Sequence, residues 1–156
     1  MKHWISAFRL RTLPLALSSI IFGSALAVKA NKFDWLIFIF CILTTVLLQI
    51  LSNLANDYGD FQKGTDNEER VGPERALQSG IITIEQMKKA TIVFSILSFV
   101  SGVLLLFFSF GLEKLIYTLS FLGLGLAAIW AAINYTSGKY AYGYRALGDA
   151  FVFLFF

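Results

Sequence analysis

Cysteine and charge are what this sequence has least of. The one cysteine, Cys41, sits inside an apolar run. That excludes a disulfide framework and a cysteine-ligated metal site, leaves the redox compartment unread, and makes Cys41 a small buried hydrophobe. Charged residues fill only 15% of the 156 positions against 57% hydrophobic, and the mean hydropathy is +0.70. Soluble domains carry about a quarter charged residues, so an ordinary soluble domain is excluded and the chain belongs in lipid. The net charge is +3, but the thirteen Lys and Arg gather at the ends of apolar runs and form no basic face. No nucleic-acid partner is expected. Internal repeats and low-complexity linkers are also lacking, so residues 1–156 read as one domain.

What is there is a series of apolar runs. Leu13 to Val28 follows Lys2, Arg9 and Arg11. It has two readings, a first membrane helix or a signal peptide with Ala25-Leu26-Ala27 imitating a cleavage site. Pro14 beside the point where the chain enters the membrane, and the further spans behind it, favour a retained helix. Trp35 to Leu54 is a predominantly apolar run of twenty residues, enough at about 1.5 Å each to cross a hydrocarbon core of about 30 Å. Thr83 with Gln86 reads as a capping box that opens the next helix before its span at 91–110. A turn at Phe110 to Lys114 leads to a fourth span at 115–133, with Trp130 and Tyr135 at its interfacial end. Residues 149–156 read as the start of a fifth span, and the domain as incomplete beyond it. The fold class is therefore an all-α integral membrane protein.

With the N-terminus inside, ten basic residues (Lys2, Arg9, Arg11, Lys63, Arg70, Arg75, Lys88, Lys89, Lys139, Arg145) lie inside, and three (Lys29, Lys32, Lys114) outside. The positive-inside rule then makes the segment 56–89 a cytoplasmic loop. Where it begins, Asn53, Asn56, Asp57 and Asp60 are spaced three, one and three apart. On a helix that spacing is one face. Hard oxygen donors together at a membrane surface suit Mg²⁺, which takes a few carboxylates plus substrate phosphate oxygens. Carboxylates at a helix C-terminus are disfavoured by about 0.3 to 1 kcal/mol each, so something positive is expected among them. A merely solvated acidic loop is the plainer alternative. It explains less, because residues that defy local preference concentrate at functional sites.

Three other patterns fail. Asp57 to Glu68 has a calcium loop's length, but Gly59, Phe61 and Gln62 stand where ligands or the turn glycine belong. Gly59 and Gly64 have the separation of a phosphate loop, yet Thr65 follows where a lysine is required. A phosphatidyltransferase pattern needs glycine after its first aspartate, and Tyr58 breaks it. Beyond the aspartates, Arg70 and Arg75 offer planar forks for phosphate oxygens, or ordinary ion pairs with Glu68, Glu69 and Glu74. Tyr135, Lys139, Arg145 and Asp149 form either a second basic cluster or a topology signal.

Asn56-Asp57-Tyr58-Gly59-Asp60 with Asp66, followed by Arg75-Ala76-Leu77-Gln78-Ser79-Gly80, resembles the first aspartate-rich motif of the UbiA family of membrane prenyltransferases. Arg9-Leu10-Arg11-Thr12-Leu13-Pro14, Arg70-Val71-Gly72-Pro73 and Tyr142 to Asp149 are similar to the branch that acts on 1,4-dihydroxy-2-naphthoate in menaquinone synthesis. The resemblance implies a helical bundle in the inner membrane that transfers a polyprenyl group from its diphosphate to that acceptor. It implies Mg²⁺ on Asn56, Asp57, Asp60 and Asp66, and diphosphate contacts from Asn53, Arg70, Arg75 and Lys139. Asp57, Asp60, Arg75 and Lys139 would be catalytic, with Tyr135 facing the reacting allylic group. Asp66 stands two residues beyond the usual place of the last aspartate, which Gly64 occupies. The family's second aspartate-rich motif is expected beyond residue 156, so this length alone is expected to be inactive. Other aromatic acceptors, or a non-enzymatic cation-handling membrane protein, are the competing readings.

Overall fold

A computed structural model describes residues 2–66, 75–111, 113–139 and 141–155. Arg70 and the Val71 to Glu74 segment lie outside the described residues. The elements are α1 (Lys2–Phe8), a 3-10 turn (Leu10–Thr12), α2 (Leu13–Lys29), α3 (Trp35–Lys63), α4 (Ile84–Phe110), α5 (Leu115–Asn134), a second 3-10 turn (Tyr142–Arg145) and α6 (Gly148–Phe155). Among the described residues there is no strand. Four helical stretches, His3–Lys29, Trp35–Lys63, Ile84–Phe110 and Leu115–Asn134, are long and apolar enough to cross a membrane.

Local chemistry sets the ends of these helices. Pro14 stands in the first turn of α2, where its missing N–H costs nothing. The Asp34 carboxylate caps α3 by accepting from the N–H groups of Leu36 at 2.8 Å and Ile37 at 3.0 Å. The capping box expected before α4 is present: Gln86 N–H donates to Thr83 Oγ1 at 3.2 Å, and Thr83 N–H donates to Gln86 Oε1 at 2.9 Å. One expectation changes. The helix expected to carry Asn53 to Asp60 runs further into the segment read as a loop from residue 56: α3 continues to Lys63 and is stopped by Gly64 in the left-handed region at φ 70°. The helix continues through Gly59 and the poor helix formers around it, where the segment after α5 packs against it. The 29 residues of α3 measure about 43 Å against the roughly 30 Å of a hydrocarbon core, so its last turns stand clear of the lipid.

α3 is the centre of the bundle, packing chiefly on α4 and also on α2, α5 and α1. Within the membrane its contact with α4 uses small and polar residues. Thr44 Oγ1 and Ser101 Oγ are hydrogen-bonded at 2.8 Å, Gly102 faces Thr44, and Phe40 stacks on Phe108. Large side chains such as Leu15, Phe22 and Ile116 point outward, as lipid-facing residues do. The core cluster forms at the polar end instead, from Ala7, Ile50, Leu54, Ala76, Leu77, Ile82 and Met87, with Trp4, Phe8 and Phe94 packed against it.

Candidate functional site

Gln49, Asn53 and Asp57 follow one another at intervals of four residues, so they line one edge of α3. That edge seats the turn between α1 and α2. Gln49 Nε2 donates to Thr12 Oγ1 at 3.2 Å, and Asn53 Nδ2 donates to the Phe8 carbonyl at 2.9 Å and to Thr12 Oγ1 at 3.3 Å. Thr12 in turn donates to the Arg9 carbonyl at 2.9 Å. Arg9 stands between them in left-handed backbone at φ 49°, a conformation that costs a non-glycine residue of order 1 kcal/mol and is found where function needs it. Its guanidinium is paired with Asp57 Oδ1. Asp57 is 2% exposed, and a carboxylate buried that deeply requires a counter-charge.

A second guanidinium reaches the same carboxylate from the opposite side of the sequence. Arg75 Nη1 lies 2.9 Å from Asp57 Oδ1 and 2.7 Å from Asp60 Oδ2, and its Nε lies 3.2 Å from Asp66 Oδ1. The residues after it hold it there. Ala76 and Leu77 are buried in the core cluster, and the chain turns back at Gly80, φ 70°, to bring Ile82 in as well. Asp66 arrives by a comparable device. The turn at Gly64 lets Thr65 N–H donate to the Asp60 carbonyl at 3.1 Å, and Thr65 Oγ1 donates to the same oxygen at 2.9 Å. The helix cap thus turns the chain so that the Asp66 carboxylate meets Arg75 with the other two.

The third wall comes from the segment after α5. Thr136 Oγ1 lies 3.3 Å from the Ala55 carbonyl and 3.4 Å from both the carbonyl and side-chain oxygens of Asn56, while Ser137 Oγ donates to the Ala55 carbonyl at 3.1 Å. This close approach is why position 59 is glycine: a Cβ there would stand 2.4 Å from Thr136 Oγ1 and 2.5 Å from the Thr136 carbonyl carbon. Asn56 therefore faces this wall, whereas Asp57 and Asp60 face Arg75. Tyr135 packs edge-on against Tyr142 at 5.5 Å, with Gly143 and Gly148 close to its ring. Tyr142 stacks on Phe151 at 4.1 Å and donates to the Ala131 carbonyl at 2.7 Å, fastening the second 3-10 turn to α5.

Tyr144 links that turn to the acids. Its hydroxyl donates to Asp60 Oδ1 and lies 3.1 Å from Thr65 Oγ1. Burial raises the phenol pKa above its usual value and the bond to the Asp60 carboxylate adds to the rise, so Tyr144 remains a donor at neutral pH. Beside it opens a cavity of about 330 Å³ lined by Lys63, Thr65, Lys139, Ala141, Tyr144 and Arg145. Lys139 is exposed on its wall, and its carbonyl accepts from Arg145 at 3.5 Å.

The structure thus brings Asp57, Asp60, Asp66 and Arg75 together, places Asn56 and Tyr135 on the adjoining wall, and sets Lys139 across Tyr144. Asn53 is 4% exposed, with its amide nitrogen committed to the N-terminal turn. Two participants are given no site role by the sequence, although both lie in segments that carry the resemblance, Arg9 to Pro14 and Tyr142 to Asp149. Arg9 counts there as a topology charge 48 positions from its partner, and Tyr144 stands 84 positions from Asp60.

Residues 16–156 match the UbiA prenyltransferase family. The chain belongs to that family. It is 49% identical over its full length to the 1,4-dihydroxy-2-naphthoate octaprenyltransferase of Haemophilus influenzae, covering 51% of that protein. It is 46% identical to the Escherichia coli protein of the same name, with 99% of the chain and 50% of the relative covered. The Bacillus subtilis protein of that name is 30% identical, over 92% of the chain and 43% of the relative. The chain therefore spans about half the length of the curated relatives it matches. No solved structure matches it. Membership and four apolar helices make it a multi-pass membrane protein.

UbiA prenyltransferases generally use a divalent metal. The donors at the end of α3 are of the kind Mg²⁺ takes, three carboxylates turned toward one positive group. Among the described residues no three acidic, histidine or cysteine side chains form a metal-holding group by themselves, and the cation they share is Arg75.

Proposed function

We propose that this chain supplies half of the site of a 1,4-dihydroxy-2-naphthoate polyprenyltransferase of menaquinone biosynthesis. The observation that carries the reading is the convergence of Asp57, Asp60 and Asp66 on Arg75 at the lipid-free end of α3, in a chain 49% identical to a relative of that name. The excess of basic residues on the same side supports a cytoplasmic orientation for this end of the bundle, and the bacterial relatives favour an inner membrane.

In the reaction, the carbon–oxygen bond of a polyprenyl diphosphate breaks and the diphosphate leaves with the electron pair. The acceptor's electron-rich ring carbon bonds to the allylic carbon, and its carboxylate departs as carbon dioxide, giving demethylmenaquinone in its quinol form. Asp57, Asp60 and Asp66, with Asn56 at the edge, would hold Mg²⁺. Bound there, the metal neutralises charge developing on the leaving diphosphate. Arg75 forks onto diphosphate oxygens, with Arg70 beside it in sequence, and Lys139 reaches the diphosphate from the neighbouring cavity. Asn53 seats the N-terminal turn against the site. Tyr144 holds Asp60 in place, and Tyr135 faces the allylic group.

The test is transfer by the full-length gene product in nanodiscs, given Mg²⁺, a polyprenyl diphosphate and a panel of acceptors. The expected product is prenylated, decarboxylated dihydroxynaphthoate. Product from 4-hydroxybenzoate or homogentisate alone would move the chain to another branch. No transfer to any acceptor would overturn the reading.

A further inference from the structure

Asp57, Asp60 and Asp66 bring three negative charges to the end of α3, and Arg9 with Arg75 brings two positive ones. Arg75 is the shared member. Its side chain is 15% exposed and touches all three carboxylates, while among the described residues Arg9 is paired with Asp57 alone. A divalent cation arriving by itself would have to take oxygens already held by a guanidinium. It would leave that guanidinium facing a dication with no anion to receive it, and at these separations like charges repel strongly in a partly buried site. A diphosphate changes the balance, because its oxygens match the guanidinium fork as well as carboxylates do.

We propose that Arg75 holds the cation's place among the three carboxylates, so that the site admits a divalent cation together with a diphosphate and discriminates against the free cation. Arg75 then exchanges carboxylate oxygens for phosphate oxygens, and Arg9 remains as the counter-charge of buried Asp57. This rests on the prenyltransferase reading and adds to it the species the site accepts and the residue that enforces the choice. The buried Ala76 and Leu77 directly after Arg75 keep the backbone fixed, so the exchange is a movement of the side chain.

The experiment is calorimetric titration of the full-length protein in nanodiscs with Mg²⁺, without and with farnesyl thiodiphosphate, a poorly cleaved diphosphate analogue. In the wild type the analogue should tighten Mg²⁺ binding by about tenfold or more. In Arg75→Gln, Mg²⁺ alone should bind at least about threefold tighter than in the wild type, and the coupling should shrink to about threefold or less. Arg75→Lys, which keeps the charge without the fork, should fall between them, and it decides the matter if Arg75→Gln does not fold. Mg²⁺ alone binding no tighter in either variant, or coupling retained in full, overturns the exchange while leaving the prenyltransferase reading intact. A wild type that binds no Mg²⁺ even with the analogue overturns both.

Discussion

Along its first half α3 turns Trp35, Leu36, Ile39 and Leu43 outward, has no fully buried residue, and contacts α4 through side chains that include Thr44 and Phe40. Along its second half every buried residue of the helix is found, from Ile50 to Gly59, Asn53 and Asp57 among them. One helix thus follows two sets of rules. In lipid an apolar side chain gains nothing by being covered, so packing relies on small residues and single interhelical hydrogen bonds. Past the lipid, water restores the hydrophobic effect, and Ala76, Leu77 and Ile82 close a core under the site. Charges enter that core only as an interlocked set, since each is costly alone. Specificity of structure is therefore concentrated at the polar end, where the proposed chemistry also lies.

That contrast sets the order of expected effects. Gly59→Ala should be the most damaging, because its Cβ would stand 2.5 Å from Thr136 backbone; a loss of about 3 kcal/mol is expected in unfolding from mixed micelles. A loss under about 1 kcal/mol would mean that the turn after α5 is not seated on α3. Arg9→Gln comes next. It leaves buried Asp57 with one guanidinium instead of two, and a cost of about 2 kcal/mol is expected, below the 3–5 of a fully broken buried pair. Adding Asp57→Asn to Arg9→Gln should return part of that loss, whereas strictly additive losses would show that the two side chains do not interact. Thr44→Val, in the lipid half, removes one interhelical hydrogen bond and should cost only about 0.6 kcal/mol. If Thr44→Val proved as costly as Arg9→Gln, the distinction between the two halves of α3 would fail.

The parts of this arrangement legible in the sequence are those with a local signature. Apolar run length marks the four spans, Thr83 and Gln86 mark a helix start, and the spacing of Asn53, Asn56, Asp57 and Asp60 fits a helix. The single face expected of these four divides, with Asn53 on the N-terminal turn, Asn56 toward Thr136, and Asp57 and Asp60 toward Arg75. Helical periodicity does not say where a polar helix stops, so the continuation of α3 to Lys63 was not legible, although Gly64 marks the stop once the helix is known. Pairings such as Arg9 with Asp57, Tyr144 with Asp60 and Gly59 under Thr136 join distant parts of the chain and leave no period to read. Arg9 is the sharpest instance. By composition it is a topology charge, and only the left-handed turn that seats it on α3 makes it part of the site.

The central claim is that the carboxylates at the polar end of α3 serve polyprenyl transfer, while the polar pair inside the lipid serves only packing. Asp60→Ala and Thr44→Val, compared in the full-length gene product with Mg²⁺, a polyprenyl diphosphate and 1,4-dihydroxy-2-naphthoate, test it most directly. Asp60→Ala should lower turnover by about a thousandfold or more, as loss of a group stabilising transition-state charge does, with Thr44→Val near the wild-type rate. Turnover in Asp60→Ala within about twofold of the wild type would contradict the account.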